Sequence, residues 1–333
     1  MDLSEIAAAL LVPGKGILAA DESVATMSSR LRAEGVVPTF DSRCAYRRLL
    51  LTTPRLSTWI SGIIFSDETI GQDISDRRSF PSAAHELGIL PGVKVDTGTT
   101  RMPFSGGGMV TQGLDDLRER LVAYRGDGAV FAKWRAVLDP NGLHRPTVHA
   151  NAHALARYAG LCQEVGLVPV VEPEVLMTGE HSIALCQAVT ANTLEAVFTE
   201  LEGMGVDPSA VVLKPNMVVA GAGHTPRPSP AEVAHRTLRV LRERVPASVP
   251  GVAFLSGGQS NDEACANLAA ITAEAAGATP WRLTFSFGRA LVADALHTWA
   301  GERGNVDDAQ DVLRDNCRRA SAACAPATMS IPT

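Results

Sequence analysis

The chain has 333 residues, of which 46% are hydrophobic and 20% are charged, with a formal net charge of -6. This composition supports a large buried core and excludes an intrinsically disordered protein, and the mild negative charge argues against nucleic-acid partners. No apolar run approaches the ~18 residues of a membrane span, and the acidic start of the chain is unlike a secretory signal, so no membrane association is expected.

The cysteines also indicate a cytoplasmic protein. They are widely spaced and form no C-x-x-C pair: Cys44, Cys162, Cys186, Cys265, Cys317 and Cys324. Disulfide frameworks belong mostly to small secreted domains with closely spaced cysteines. We therefore expect six reduced thiols.

Strands and helices alternate along the chain. Residues 4–12 predict a first helix with Ser4 as its N-cap. The predicted strands are 16–21, 59–66, 92–96, 130–138, 168–175, 210–217, 251–256 and 282–287, and the helix-like segments between them include 111–125, 149–165, 181–203, 230–244 and 260–276. Eight apolar strands that alternate with helices favour an α/β fold, a closed (β/α)8 TIM barrel.

The predicted barrel is one domain over residues 1–324, with an N-terminal helix and a C-terminal helix. Residues 325–333 are short and proline-containing, and we expect them to form a flexible tail. The alternative fold is an open, doubly wound sheet. That fold normally carries a glycine-rich dinucleotide turn after its first strand, and residues 16–23 contain none.

One strand carries the residue on which the functional prediction depends. Residues 211–213 are apolar, Lys214 follows them, and Pro215 then ends the strand. Burial at a strand end lowers the pKa of a lysine toward the free amine, which is a nucleophile for carbonyls. The commoner arrangement is a lysine whose ammonium extends into solvent. The other strand ends therefore decide the interpretation.

In a (β/α)8 barrel the active site lies at the C-terminal ends of the strands. Lys133 near Lys214 would add like-charge repulsion to burial, and both effects favour the neutral amine of the nucleophile. Glu172 is a candidate acid/base for the formation and dehydration of a carbinolamine, and Asp21 could take a hydroxyl proton during carbon–carbon cleavage. The alternative is that these carboxylates only neutralise the lysines. The strand ends carry Asp21, Lys94, Lys133, Arg135, Glu172, Glu174, Lys214, Ser256, Gly257, Gly258, Ser286, Gly288 and Arg289.

The loops 256–260 and 286–289 follow the seventh and eighth strands. Barrels often bind phosphate there through backbone N–H groups that glycine leaves accessible, together with an arginine. Lys94 and Arg135 could hold a second phosphate. The sequence thus predicts an elongated, doubly anionic carbonyl compound as substrate.

A histidine cluster offers a competing metal site. His149 and His153 have the i, i+4 spacing of zinc ligands, and His144 is close by in the chain. In zincins a glutamate follows the first histidine, and Ala150 stands there instead. We interpret these residues as helix-surface histidines and expect neither a metal nor a cofactor.

Long motifs along residues 4–324 carry a family resemblance. They are PGKGILAADES (13–23), GVKVD (92–96), TQGLDDLRER (111–120), FAKWRAVL (131–138), VPVVEPEVL (168–176), LKPNMV (213–218), FLSGGQS (254–260) and LTFSFGRAL (283–291). Together they resemble class I fructose-bisphosphate aldolases, the metal-independent Schiff-base family. The resemblance implies reversible cleavage of fructose 1,6-bisphosphate to dihydroxyacetone phosphate and glyceraldehyde 3-phosphate, in a homotetramer.

The resemblance also implies residue roles. Lys214 would form the Schiff base, Glu172 would be the acid/base, and Asp21, Lys133 and Arg135 would assist cleavage. The phosphate next to the ketone would contact Ser256, Gly257, Ser286, Gly288 and Arg289, and the other phosphate would contact Ser23, Thr26, Arg30 and Lys94. Two alternatives are a Schiff-base aldolase that prefers another phosphorylated sugar and a barrel kept as a binding scaffold.

Overall fold

Eight parallel strands close into a barrel in the computed structural model, which describes residues 2–75, 78–142 and 145–325. Each strand neighbours the next one in the chain, and the last pairs with the first. This confirms the predicted (β/α)8 TIM barrel. The barrel strands are β1 (Gly16–Ala20), β2 (Ile60–Phe65), β3 (Leu90–Lys94), β4 (Phe131–Leu138), β5 (Val168–Val175), β6 (Val212–Leu213), β7 (Gly251–Phe254) and β8 (Arg282–Phe287).

Strand β6 is much shorter than the predicted 210–217. A 3-10 turn over Pro208–Ala210 precedes it, and Pro215 has no N–H with which to continue the ladder. Lys214 still follows the strand direction, because its backbone N donates to the Val171 carbonyl at 2.8 Å. The strand therefore ends at Leu213, and Lys214 directly follows it at the open end of the barrel.

Helices surround the barrel and connect its strands. Their bounds are α1 (Leu3–Leu10), α2 (Val24–Ala33), α3 (Phe40–Leu51), α4 (Asp67–Ile70), α5 (Phe80–Glu86), α6 (Leu117–Gly126), α7 (Arg145–Glu164), α8 (Ile183–Gly203), α9 (Pro230–Arg244), α10 (Asn261–Ala275), α11 (Arg289–Trp299) and α12 (Val306–Cys324). The first is capped by Asp2 rather than by Ser4, so that prediction is wrong. Asp2 accepts from the backbone N of Glu5, whose side chain accepts from the Asp2 N–H, which completes a capping box.

The helix predicted over 111–125 begins only at Leu117. The residues before it form a two-stranded antiparallel hairpin in which Thr99–Arg101 pairs with Met109–Thr111. Gly113, with φ +122°, then turns the chain toward the helix.

Helix α1 closes the N-terminal end of the barrel. Ile6, Ala7, Leu10 and Leu11 pack against the inward side chains of the strands, in one buried cluster with Ile17, Ile64, Phe131, Val168, Val170, Val212 and Ala253. This end is apolar and filled. The C-terminal end of the barrel is therefore where an open cavity can lie.

The C-terminal helix α12 ends at Cys324, and residues 326–333 of the predicted tail lie outside the described residues. All six cysteines are free thiols, as expected. Within the described ranges, no helix is both long and apolar enough to cross a membrane.

Close packing inside the barrel generates a first prediction. Gly92 on β3 pairs with Phe131 on β4, and a Cβ at Gly92 would overlap the Phe131 ring. Gly92→Ala should therefore overpack the interior and cost about 1–3 kcal/mol of stability. The measurement is the thermal unfolding midpoint by circular dichroism.

Gly203→Ala is the matched control, because a Cβ at the end of α8 meets nothing within 4 Å. It should raise stability by up to about 1 kcal/mol, since alanine is the better helix former. Equal midpoints for the two variants would contradict the packing argument.

Candidate active site

A cavity of about 1110 Å³ opens at the C-terminal ends of the strands. Residues from all parts of the chain line it, which is possible because a parallel barrel brings these ends together. The structure places every predicted site residue in its wall: Asp21, Ser23, Thr26, Arg30, Lys94, Lys133, Arg135, Glu172, Glu174, Lys214, Ser256, Gly257, Gly258, Ser286, Gly288 and Arg289.

A row of alternating charges crosses the floor of the cavity. The Lys214 Nζ lies 3.1 Å from Oε1 of Glu172, and Oε2 of the same carboxylate lies 3.1 Å from the Lys133 Nζ. The Lys133 Nζ in turn lies 2.6 Å from Oδ2 of Asp21. Lys133 and Lys214 are each 3% exposed, and Glu172 is 4% exposed. The row is thus mutually paired and buried except at Asp21, which keeps 14% of its side chain exposed.

Strand register explains how these side chains meet. On β4 and β5, Arg135 pairs with Glu172 and Val137 with Glu174, so alternate residues of the two strands point into the same space. Lys94 on β3 pairs with Lys133 in the same way. The i, i+2 spacing in the sequence therefore does indicate a shared face.

The pKa values in the row follow from burial and pairing. Burial raises the pKa of Asp21 and of Glu172, but the Lys133 and Lys214 ammonium groups outweigh it and hold both pKa values below the ordinary range. Burial lowers the pKa of Lys133, but Asp21 and Glu172 raise it by more. Lys133 is therefore a cation.

The prediction of a neutral amine concerned Lys214 and counted only burial and repulsion from Lys133. It did not count Glu172, which contacts both lysines, or Asp21, which contacts the Lys133 ammonium. The i, i+2 pattern predicts which face of its strand a side chain occupies. The charge state of Lys133 depends instead on its distances to Asp21 and Glu172, which lie on or directly after other strands.

An anion-binding arrangement lies at the ends of β7 and β8. Arg289 is the first residue of α11, and Gly257 and Gly258 have positive φ values of 57° and 95°. A Cβ at Gly258 would lie 3.0 Å from an Arg289 guanidinium nitrogen, so the loop and the arginine are neighbours. Ser286 is 1% exposed and its hydroxyl has no hydrogen-bond partner within the described chain.

Most other cations in the cavity wall differ from Arg289 in having carboxylate partners, and Arg120 donates to the carbonyls of Val95 and Gly113 instead. Lys94 donates to both the side chain and the carbonyl of Asp96 at 2.7 Å, and Arg135 pairs with Glu174. For Arg289, the described residues provide no such carboxylate. Its guanidinium is therefore available to a bound anion.

Sequence reasoning missed several residues of the cavity wall. Asp96 lies two residues after Lys94, so the same i, i+2 rule could have found it. Glu22 directly follows Asp21 and was not considered. Arg120 ends the motif at 111–120 but was given no role, and no sequence signal marked Glu68 or Tyr124. All three come from helices and reach the cavity only through the tertiary fold.

The predicted helix-surface histidines lie on the exposed side of α7. His153 pairs with Glu200 on α8 at 3.0 Å, and His149 accepts from Arg145 at 3.3 Å. His144 lies outside the described residues. Over residues 2–75, 78–142 and 145–325, no three His, Cys, Asp or Glu side chains are grouped so as to hold a metal ion.

Comparisons with known proteins identify the family. The family model for fructose-bisphosphate aldolase class-I matches residues 2–329. A probable fructose-bisphosphate aldolase class 1 of Xanthomonas campestris pv. campestris is 45% identical, with 95% of each chain covered. The cytosolic fructose-bisphosphate aldolase 6 of Arabidopsis thaliana is also 45% identical, over 95% of this chain and 88% of the relative. A solved fructose-bisphosphate aldolase from Plasmodium falciparum superposes with a TM-score of 0.94 at 43% identity, covering 98% of this chain and 95% of that one. The chain therefore belongs to the class I fructose-bisphosphate aldolase family.

Proposed function

We propose that the chain catalyses the reversible aldol cleavage of fructose 1,6-bisphosphate to dihydroxyacetone phosphate and glyceraldehyde 3-phosphate through a Schiff base on Lys214. The observation that carries the proposal is the buried Lys214 amine, 3.1 Å from a Glu172 carboxylate that Lys133 also contacts. The names of the relatives support the same substrate and reaction.

The first stage is formation of the iminium. The Lys214 ammonium gives a proton to Glu172, and the free amine then attacks the C2 carbonyl of the open-chain sugar. The carbonyl oxygen takes a proton from the nitrogen, which forms the carbinolamine hydroxyl. Loss of the Lys214 charge removes one of the cations that keep the Glu172 pKa low, so the carboxyl can now hold that proton. Glu172 then protonates the carbinolamine hydroxyl, which leaves as water.

The second stage is carbon–carbon cleavage. Asp21 removes the proton of the C4 hydroxyl, the C3–C4 bond breaks, and its electron pair flows into the iminium to give an enamine. Glyceraldehyde 3-phosphate leaves. The proton that Asp21 took passes through Glu172 or water to C3 of the enamine. Addition of water to the resulting iminium then releases dihydroxyacetone phosphate and restores the Lys214 amine.

Lys133 assists both stages as a cation. Its ammonium lies between Asp21 and Glu172, at 2.6 Å and 3.1 Å, and compensates the charge of both carboxylates. Arg135 and Glu174 form a second ion pair beside the row. In this role Lys133 positions the two groups that move protons and does not compete with Lys214 as nucleophile.

The two substrate phosphates bind to two different sets of residues in the cavity wall. Ser256, Gly257, Gly258, Ser286, Gly288 and Arg289 hold the phosphate next to the ketone. Ser23, Thr26, Arg30 and Lys94 hold the other phosphate. The helix N-terminus at Arg289 and its unpaired guanidinium favour an anion at the first set. At the second set, the phosphate competes with carboxylates for its cations.

The proposal includes a cytoplasmic location and a homotetramer. Relatives from Arabidopsis thaliana and Cicer arietinum are named as cytosolic or cytoplasmic enzymes, which supports the location. The tetramer is supported by the family resemblance.

Borohydride trapping tests the covalent step. Only four of the chain's 30 basic residues are lysines, namely Lys15, Lys94, Lys133 and Lys214. Reduction in the presence of dihydroxyacetone phosphate should attach the triose to the Lys214 peptide, as read by mass mapping. An adduct mainly on Lys94 or Lys133 would contradict the assignment.

Lys214→Arg should abolish both trapping and turnover, because a guanidinium stays protonated and cannot attack a carbonyl. Lys15→Arg is the matched control, since Lys15 donates to the Ser57 carbonyl and does not line the cavity. This variant should be trapped as efficiently as the unaltered enzyme.

Arg289→Ala tests the first phosphate site. Charge-assisted hydrogen bonds contribute about 1.5–3 kcal/mol, so the variant should bind fructose 1,6-bisphosphate and dihydroxyacetone phosphate roughly tenfold more weakly or worse. Steady-state KM and equilibrium binding measure the effect. Unchanged values for both ligands would show that the phosphate binds elsewhere.

Metal removal tests the iminium mechanism. The iminium is the electron sink for cleavage, so the reaction needs no Lewis acid. Exhaustive treatment with EDTA should leave the cleavage rate near its starting value. A loss of activity that zinc alone restores would contradict the mechanism.

A further inference from the structure

The buried carboxylate of Glu22 contacts two arginines, Arg30 and Arg47, next to the residues proposed for the second phosphate. Glu22 follows Asp21 at the end of β1, and its side chain is 7% exposed. Its Oε1 contacts the Arg30 guanidinium, while its Oε2 lies 2.7 Å from Nη2 of Arg47. Arg47 also donates to the Glu22 carbonyl at 3.3 Å. Glu22 therefore keeps an ion pair with Arg47 when the contact between its Oε1 and Arg30 is lost.

The two arginines differ in their access to the cavity. Arg30 comes from α2, lines the cavity, and keeps 29% of its side chain exposed. Arg47 comes from α3, is 3% exposed, and is not among the residues of the cavity wall. Its guanidinium lies 5.8 Å from the centre of the Tyr46 ring. Arg30 can reach a bound anion, and Arg47 cannot.

The balance of charge around Glu22 connects the roles of Arg30 and Arg47. One carboxylate and two guanidinium groups leave one positive charge in excess. A buried carboxylate that loses its partner is costly, so Glu22 by itself would hold Arg30 in place. With Arg47 present, Arg30 can leave Glu22 without exposing an unpaired buried charge.

We propose that Arg47 is a positioning residue for the second phosphate. It neutralises Glu22 from the side away from the cavity and so frees Arg30 to bind that phosphate. The inference rests on the proposed function, which places the second phosphate beside Arg30. Arg30, Ser23 and Thr26 lie on one face of the first turns of α2, three and four residues apart, so an anion at Arg30 also meets the helix N-terminus.

Two substrates separate this role from the rest of the site. Fructose 1-phosphate has the ketone and the phosphate next to it but lacks the second phosphate. Arg47→Gln should raise the KM for fructose 1,6-bisphosphate about tenfold, the value of one charge-assisted interaction. Its kcat, and both constants for fructose 1-phosphate, should stay near those of the unaltered enzyme.

A double variant supplies the decisive comparison. In Glu22→Gln/Arg47→Gln the charge that would retain Arg30 is gone, so the KM for fructose 1,6-bisphosphate should return toward the original value. A merely structural role for Arg47 predicts the opposite, since the second substitution removes a further buried contact. Arg48→Gln is the matched control, because it removes an exposed charge from the same helix and should change neither KM.

Several results would overturn the inference. These are an equal loss with both sugars, no recovery in the double variant, or an unchanged KM for the bisphosphate in Arg47→Gln. Should Arg47→Gln fail to fold, Glu22→Gln decides alone: it should lower the KM for the bisphosphate, and a higher value would contradict the proposal. Failure of the proposed function looks different, because the unaltered enzyme would then cleave neither sugar.

Discussion

The row Asp21–Lys133–Glu172–Lys214 is the interaction on which the site depends. An ion moved from water into a protein interior costs several kcal/mol unless a partner compensates it. Each member of the row is compensated by its neighbours, with contacts of 2.6 to 3.1 Å. Lys133 and Glu172 lie on β4 and β5, and Asp21 and Lys214 directly follow β1 and β6, so no segment of the chain forms the row by itself. Closure of the barrel therefore brings the four charges together.

The cavity has two electrostatically different sides. At the site proposed for the ketone phosphate, Arg289 is unpaired within the described chain and lies at a helix N-terminus. At the other proposed phosphate site, Lys94 and Arg30 are already paired with Asp96 and Glu22. An anion at Arg289 would displace no carboxylate, whereas an anion at Lys94 or Arg30 would have to compete with one. This difference gives the site a physical means of setting its affinity for each end of a bisphosphate separately.

The choice between lysine and arginine carries chemical information in this chain. Only four of the 30 basic residues are lysines, and three of those four line the cavity. Arginine keeps its charge and suits surface pairs and phosphate contacts, but it cannot act as an amine nucleophile. The lysines of this chain thus lie mainly in the cavity wall, where the proposed reaction uses a small ammonium and a free amine. This bias is visible in the composition, and it points to the same residues as the strand-end argument.

The sequence by itself determined the barrel, its strand order and the residues at the open end. Alternating apolar strands and helices specify that fold, and side-chain alternation puts Lys133, Arg135, Glu172 and Glu174 inside it. Only the tertiary structure decided the charge state of Lys133, because that depends on distances to Asp21 and Glu172 across strands that are far apart in the chain. The pairing of Glu22 with Arg47 was hidden for the same reason. The local sequence pattern decides which face of its strand or helix a side chain occupies. Its charge state and its ion-pair partners depend on which side chains of other elements the fold brings into contact with it.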